Sequence, residues 1–295
     1  MLVVFKELES IADIELKKNV DLSNYSTIKT KSFSNIIIVK SVIALKATIN
    51  LLNEKNKKYK LLGLGANQVL KGGEDRFYIK LKLTSIDSLS DFKSEYELDA
   101  SIALNRLTSA AMKFNLNGWQ CLTGIPATLG GAIAMNAGTR IGEISEIVKE
   151  VVVLRRNGQV EKLTVDKKFF TYRNNNFLNE GDIIISAKLI HFGQKDGIKD
   201  EIRSELNKRK VDQPWGTQNC GCVFKNSSKL SAGKAIDLIG LKGFEYKGLK
   251  VSDVHANFIE NKGATYEDFI EFVEFINYQL ESFCAQKFEL EVKID

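Results

Sequence analysis

Between Gly124 and Glu143 the chain reads GIPATLGGAIAMNAGTRIGE, with five glycines, one proline and charge only at Arg140 and Glu143. So little side-chain volume cannot fill a core by bulk. It suits two tasks: bringing two backbones into close contact, or wrapping backbone amides around a ligand. Any fold for this chain must seat that segment on a framework built elsewhere.

The framework has ample material. The chain has 295 residues, 44% of them hydrophobic and 27% charged, which predicts a globular protein of more than one domain and excludes intrinsic disorder. The 42 Lys+Arg against 37 Asp+Glu leave a net charge of +5. These charges are scattered, with no stripe or aromatic platform, so a nucleic-acid partner is not expected. No window approaches the ~20 apolar residues of a membrane span, and the opening MLVVFKELES turns acidic within a few residues. A cytoplasmic protein without membrane insertion is expected. Cys121, Cys220, Cys222 and Cys284 lack CxxC spacing, and His191 and His255 are the only histidines. Neither a disulfide framework nor a metal site is predicted.

Periodicity predicts α+β architecture. Ile36–Val39 reads as a strand, 42–52 as a helix and 59–64 as a strand entering GLGAN, together a β-α-β unit. Leu104, Leu107, Ala110, Ala111 and Phe114 have helical spacing. VVVLRR and QVEKLT flank Asn157-Gly158, predicting a hairpin with a type I′ turn. A strand over 183–190, a helix over 199–210, a short strand at CVF and a helix over 232–239 follow. The last helix opens at Thr265 with Asp268 three residues on and carries an apolar stripe of Phe269, Val273, Ile276, Leu280 and Phe283.

Three further segments bear chemical groups. Gly63, Gly65, Ala66 and Asn67 follow a strand and allow backbone N–H groups to approach a phosphate, although the third glycine of GxGxxG is missing. Tyr172-Arg173-Asn174-Asn175-Asn176-Phe177 sets one arginine among amides and aromatics, where it is either a fixed cationic donor or part of a solvated turn. Cys222, Lys225 and Asn226 lie within five residues; a cysteine so placed is a reactive thiol or a small buried hydrophobe.

In order, these segments resemble one family. TGIPATLGGAIAMNAGTRIGEI resembles the GIPGTVGGAxxMNAGAYGGEI signature of the UDP-N-acetylenolpyruvoylglucosamine reductases. GLGAN is similar to that family's GGGSN, YRNNNF to its YRxSxF, QPWGTQNCGCVFKN to its QPxxPSAGSxFKNP, the stretch from AGKAIDLIG to VSDVHANFIEN to its AGxLIExAG…VSxxHANFIvN, and FELEVKI to its LEPEVRIIG. The resemblance runs in register over residues 25 to 294. Departures are Lys31 and Ser32 for two glycines, Ala66 and Asn175 for serines, Gln218-Asn219 for Pro-Ser, and Cys222 for the serine that protonates the product in the family.

The resemblance implies a two-part FAD-binding region of the PCMH/vanillyl-alcohol-oxidase type (1–80 and 81–197) and a substrate-binding domain (198–295) whose final strand, 288–295, returns toward the flavin. It implies a monomer of the family's shorter subtype that uses FAD and NADPH on a UDP-amino-sugar substrate. Its site residues carry over as Arg173, Cys222 and Glu291 for catalysis. Gly63, Gly65, Ala66, Asn67, Gly124, Ile125, Pro126, Thr128, Gly130, Gly131, Ala132, Asn136 and Gly138 carry over for cofactor, and Tyr172, Arg209, Lys225, Asn226 and Asn257 for substrate. Competing readings are a flavin oxidase of the same superfold, which leaves FELEVKI and VSDVHANFIEN unexplained, and a catalytically silent flavin or UDP-sugar binding protein, against which Arg173 and Glu291 argue.

Overall fold

A computed structural model, describing residues 1–83 and 89–295, shows an α+β chain whose contacts divide it into two compact units. The first comprises Met1–Lys17, Ile36–Gly63 and Phe77–Leu206; the second comprises Lys18–Asn35, Leu64–Arg76 and Asn207–Asp295. No helix among the described residues is long and apolar enough to cross a membrane.

The N-terminal sheet runs in the order Ile14–Asp21, Phe33–Val39, Arg76–Leu81, Lys58–Leu61. The predicted helix is Val42–Glu54, started by Ser41, whose hydroxyl accepts the Ala44 N–H. Its Leu45 and Leu52 pack with Ile37, Val39, Phe77 and Ile79 in one core. The strands either side of this helix share the sheet, but Arg76–Leu81 lies between them. The second of them is Lys58–Leu61 and stops short of the expected residue 64, because the chain turns ahead of Gly65, whose φ is 67°.

A second sheet, wholly antiparallel, runs Val160–Thr164, Val148–Leu154, Ile183–Ile190, Glu95–Asp99. Trp119 is buried beside it, its Nε1 donating to the Ile190 carbonyl at 2.8 Å and its ring 5.1 Å from that of Tyr96. The expected hairpin forms, but its turn is not type I′. Gly158 N–H donates to the Arg155 carbonyl and Arg155 N–H to the Gln159 carbonyl. Only Gly158 has positive φ, at 85°, while Asn157 stays on the negative side. That is a three-residue loop closed by a glycine bulge, the alternative open to an Asn-Gly hairpin.

The glycine-rich segment docks on the stretch after Glu95–Asp99. Gly130 N–H donates to the Ala100 carbonyl, Leu129 N–H to Ile102 and, in return, Leu104 N–H to Ala127, all at 2.8 to 2.9 Å. A Cβ at Gly130 would lie 2.8 Å from that of Ala100, so this glycine is required by backbone packing. The segment then forms the short helix Leu129–Ala134 and a small hairpin pairing Gly138 with Glu143.

In the second unit the sheet Glu245–Tyr246, Leu249–Val251, Ile259–Asn261 packs with the helices Ala232–Leu238 and Tyr266–Cys284. Thr265 and Asp268 form the expected capping box. Phe269, Val273, Ile276 and Leu280 are buried, together with Phe272, but Phe283 is 72% exposed. It lies in the last turn, next to the point where Ala285 adopts φ 50° and the helix ends, beyond the reach of the core. The predicted strand at CVF is instead two single bridging pairs, Cys222 with Phe258 and Phe224 with Leu290. Gly221 at φ 78° breaks the extended path, so Cys220 and Cys222 do not share one face as residues two apart in a strand would. Lys293–Ile294 pairs in parallel with Gln68–Val69, just after the GLGAN loop.

The two ends of the last helix's stripe should differ sharply. Phe269→Ala should cost about 3–5 kcal/mol of unfolding free energy, whereas Phe283→Ala should stay within about 0.5 kcal/mol of the parent. Urea unfolding of both variants measures this, and equal losses would contradict the stated core.

Candidate active site

In the first unit, two of the Gly-containing segments meet at one hydroxyl. A Cβ at Gly63 would lie 3.1 Å from Thr128 Oγ1, and one at Gly131 3.2 Å from the same atom, which accepts the Gly131 N–H. Gly131 and Pro126 are exposed, Ile125 and Thr128 intermediate, and Ala132 buried. Gly124 has φ 69°, which a side chain would strain. Lys80 donates to the Gly63 carbonyl at 3.2 Å. Burial lowers its pKa, and the nearby charge of Lys17 lowers it further. Lys80 beside a glycine surface with small uncharged residues forms a place suited to an anionic group. A diphosphate fits that description.

Arg173 is one of the two turn residues between the paired strands Phe170–Thr171 and Asn174–Asn175. Its φ is 54°, a conformation that costs a non-glycine residue about 1–2 kcal/mol. Three bonds hang this hairpin from the glycine-rich segment: Asn136 Nδ2 donates to the Thr171 carbonyl at 3.1 Å, Arg173 Nη1 to the Asn136 carbonyl at 3.3 Å, and Asn175 Nδ2 to the Ala134 carbonyl at 2.8 Å. Tyr172, 45% exposed, sets its ring 5.0 Å from the guanidinium. Asn136 is itself buried, at φ 47°. Its second amide hydrogen goes to Glu143 Oε2 at 2.8 Å, and its Oδ1 accepts the Ser145 N–H. The Asn136 side chain is therefore committed to holding protein together. Gly138 is likewise fixed by its hairpin partner, since a Cβ there would lie 2.8 Å from Glu143 Cα and 2.9 Å from its Cγ.

In the second unit, Gly65 is needed by the chain itself: a Cβ there would sit 2.2 Å from the Tyr25 carbonyl oxygen. Next to it, Ser26 Oγ is buried without a hydrogen-bond partner, as is Thr30 Oγ1 a few residues on. Such orphaned hydroxyls are what a polar cofactor would satisfy. Ala66 is half-buried, its carbonyl facing Gly221. Asn67 Nδ2 donates to the Glu291 carbonyl at 3.1 Å, and Glu291 N–H to the Val223 carbonyl at 2.8 Å. The Asn67 side chain is thus linked through the Glu291 backbone to that of Val223, the residue following Cys222. Cys222 is half-buried, while Cys220 is fully buried and its thiol is pushed up to about 12 by desolvation.

The remaining predicted residues separate by environment. Asn257 is buried, and its amide both donates to the Phe224 carbonyl at 2.8 Å and accepts the Phe224 N–H at 2.9 Å. It braces the Cys222 segment. Asn226 Oδ1 accepts the Ala232 N–H at the start of a helix. Lys225 pairs with Glu289 at 3.1 Å, and Arg209 sits in the last turn of the helix Ile198–Asp212.

Lys80, Glu143 and Ser26 were not picked out by sequence reasoning. Lys80 had a signal, a cation interrupting the apolar run Phe77–Leu81. Glu143 had one too, as the acidic residue closing the glycine-rich motif, whereas Ser26 had none.

Two outcomes follow. Arg173→Gly and Arg173→Ala both remove the guanidinium, so backbone strain separates them, and the glycine variant should be the more stable by about 1 kcal/mol in urea unfolding. Equal stability would contradict the strain. The second concerns His255, whose Nδ1 accepts the Asn257 N–H and whose pKa is lowered from 6.5, chiefly by burial. Below about pH 6.5 the unfolded chain binds a proton that the folded chain refuses, so stability should fall as pH drops through that value toward the folded pKa. His255→Gln, which keeps an acceptor but does not titrate, should show a shallower loss of urea midpoint between pH 7 and pH 5.

Residues 33–164 match the family profile described as FAD binding domain, and residues 213–294 match that described as UDP-N-acetylenolpyruvoylglucosamine reductase, C-terminal domain. The UDP-N-acetylenolpyruvoylglucosamine reductase of Clostridium novyi is 30% identical over 98% of this chain and 94% of its own. That of Lactiplantibacillus plantarum is 33% identical over 91% and 90%. The crystal structure of UDP-N-acetylenolpyruvylglucosamine reductase from Thermus caldophilus superposes with a TM-score of 0.78 at 28% identity, covering 95% of this chain and 99% of that one. With both profiles matched in order and relatives aligned almost end to end, this chain belongs to the UDP-N-acetylenolpyruvoylglucosamine reductase family.

Proposed function

We propose that this protein is an oxidoreductase that reduces UDP-N-acetylglucosamine enolpyruvate to UDP-N-acetylmuramate, a peptidoglycan precursor, using FAD with NADPH as electron donor. The observation that carries this reading is the held guanidinium of Arg173 in a chain that matches both parts of the family. The proposal keeps the functional partition 1–80, 81–197 and 198–295, and a monomer in the cytoplasm.

The Lys80, Gly63, Thr128 and Gly131 cluster of the first unit fits a polar, diphosphate-bearing cofactor. The chemistry supplied by a bound FAD is hydride carriage from NADPH to the enolpyruvyl alkene. That reduction leaves negative charge on the substrate carboxylate and its neighbouring carbon. Arg173, a permanently charged donor on a strained turn, stabilises that charge. Glu291, in its protonated form, does the same, and the Cys222 thiol delivers the proton to the carbon beside the carboxylate. Asn257 contributes by bracing Phe224, and so the Cys222 segment. Asn136 contributes by suspending the Arg173 turn. Tyr172, Arg209, Lys225 and Asn226 supply substrate contacts, with the two Lys/Arg cations suited to a diphosphate.

The purified protein should be yellow, bleach under anaerobic NADPH and regain colour on addition of the enolpyruvyl UDP-sugar. A colourless protein that FAD cannot reconstitute would overturn the reading. Cys222→Ala should lower turnover by about 100-fold or more while leaving flavin reduction by NADPH intact. Cys222→Ser should recover much of it, and Cys220→Ala should change turnover little. Unchanged turnover in Cys222→Ala would assign the proton to another group.

A further inference from the structure

Glu143 lies outside every role assigned so far, yet both of its carboxylate oxygens are engaged around Arg173. Oε2 accepts from Asn136 Nδ2 at 2.8 Å, and Oε1 lies 3.7 Å from Arg173 Nη1. The same Nη1 donates to the Asn136 carbonyl, and the same Asn136 amide donates to Thr171 at the base of the arginine's turn. Glu143, Asn136 and Arg173 thus form a closed ring of contacts. The side chain has room to reach it because Gly138, its partner across the small hairpin, has no Cβ to stand against Glu143 Cγ.

A guanidinium is a planar fork of five donors, so anchoring one nitrogen fixes the plane in which the others lie. The Arg173 backbone is held at φ 54°, where an unsupported turn would relax. Support comes from the Asn136 amide, whose orientation Glu143 sets together with Thr171 and Ser145. At 3.7 Å the carboxylate is outside hydrogen-bond range of Nη1 and acts on it as a charge, holding it without replacing its donors.

We infer that Glu143 is the positioning residue for Arg173: through Asn136 it fixes the turn, and through its charge it holds Nη1, presetting the guanidinium for the substrate carboxylate. This rests on the proposed reduction of an enolpyruvyl UDP-sugar. It predicts a defect confined to the step in which substrate reoxidises the flavin, since no other step uses the guanidinium.

The test is a double-mutant cycle on the flavin-loaded protein, using Glu143→Gln, which preserves an acceptor for Asn136 and removes the charge, in parent and Arg173→Ala backgrounds. Glu143→Gln alone should keep the parent's flavin content, thermal unfolding midpoint and rate of reduction by NADPH, but slow reoxidation by the enolpyruvyl UDP-sugar about 10-fold. Glu143→Asp, which retains the charge, should recover part of that loss. In the Arg173→Ala background, Glu143→Gln should change reoxidation by less than about 2-fold, because the group it positions is gone. Equal slowing in both backgrounds, or none in the parent background, would overturn the inference while leaving the reductase reading intact. A parent protein that NADPH reduces but no enolpyruvyl UDP-sugar reoxidises would overturn both.

Discussion

The order around Arg173 in the first unit depends on how one buried amide distributes its hydrogen bonds. Asn136 has two hydrogens and one oxygen to place, and sends them to Glu143, Thr171 and Ser145. Leaving any of them unmade in a buried position would cost about 1–3 kcal/mol, so the three partners are pulled to defined places. Those partners belong to different stretches of chain: the glycine hairpin, the arginine turn and the segment that follows the hairpin. A single side chain therefore acts as a joint, and Arg173, the arginine proposed for catalysis, inherits its position from it.

The second unit repeats the device with different residues. Asn257 commits both ends of its amide to the backbone of Phe224, and Val223 N–H returns to the Asn257 carbonyl. The proposed proton donor Cys222 thus sits next to a segment pinned by a buried amide. In both places rigidity comes from satisfied polar groups in low-dielectric surroundings rather than from bulk. That suits segments whose composition, rich in glycine and small residues, offers little to pack.

Long periodic elements were legible from sequence because their signals are local. The helix Leu104–Phe114 and the strand Ile183–Ile190 fall where spacing placed them, and the capping box at Thr265 and Asp268 forms. What sequence could not disclose depends on where distant backbones come to lie. The Asn157-Gly158 dipeptide satisfies two kinds of hairpin turn, and only the hydrogen bonds of Arg155 discriminate between them. CVF has strand composition but lacks a continuous partner. Asn257 matches a binding motif, yet its burial and its Phe224 contacts give it a bracing part. The family motif does not separate residues with free surface from residues such as Asn136 and Asn257 that hold neighbouring backbone in place.

Gly130 shows what such a motif records. Its hydrogen faces the Ala100 side chain, with no space for another carbon between them. The smallest side chain and the absent one form a matched pair, and enlarging either requires moving the helix Leu129–Ala134 off the stretch that carries it. Selection acting on position 130 therefore also acts on position 100, thirty residues away and outside every recognisable motif. In evolutionary terms the two positions form one inherited unit, free to drift only by a simultaneous exchange that keeps their summed volume, and a swap of this loop between relatives will succeed only if its seat travels with it.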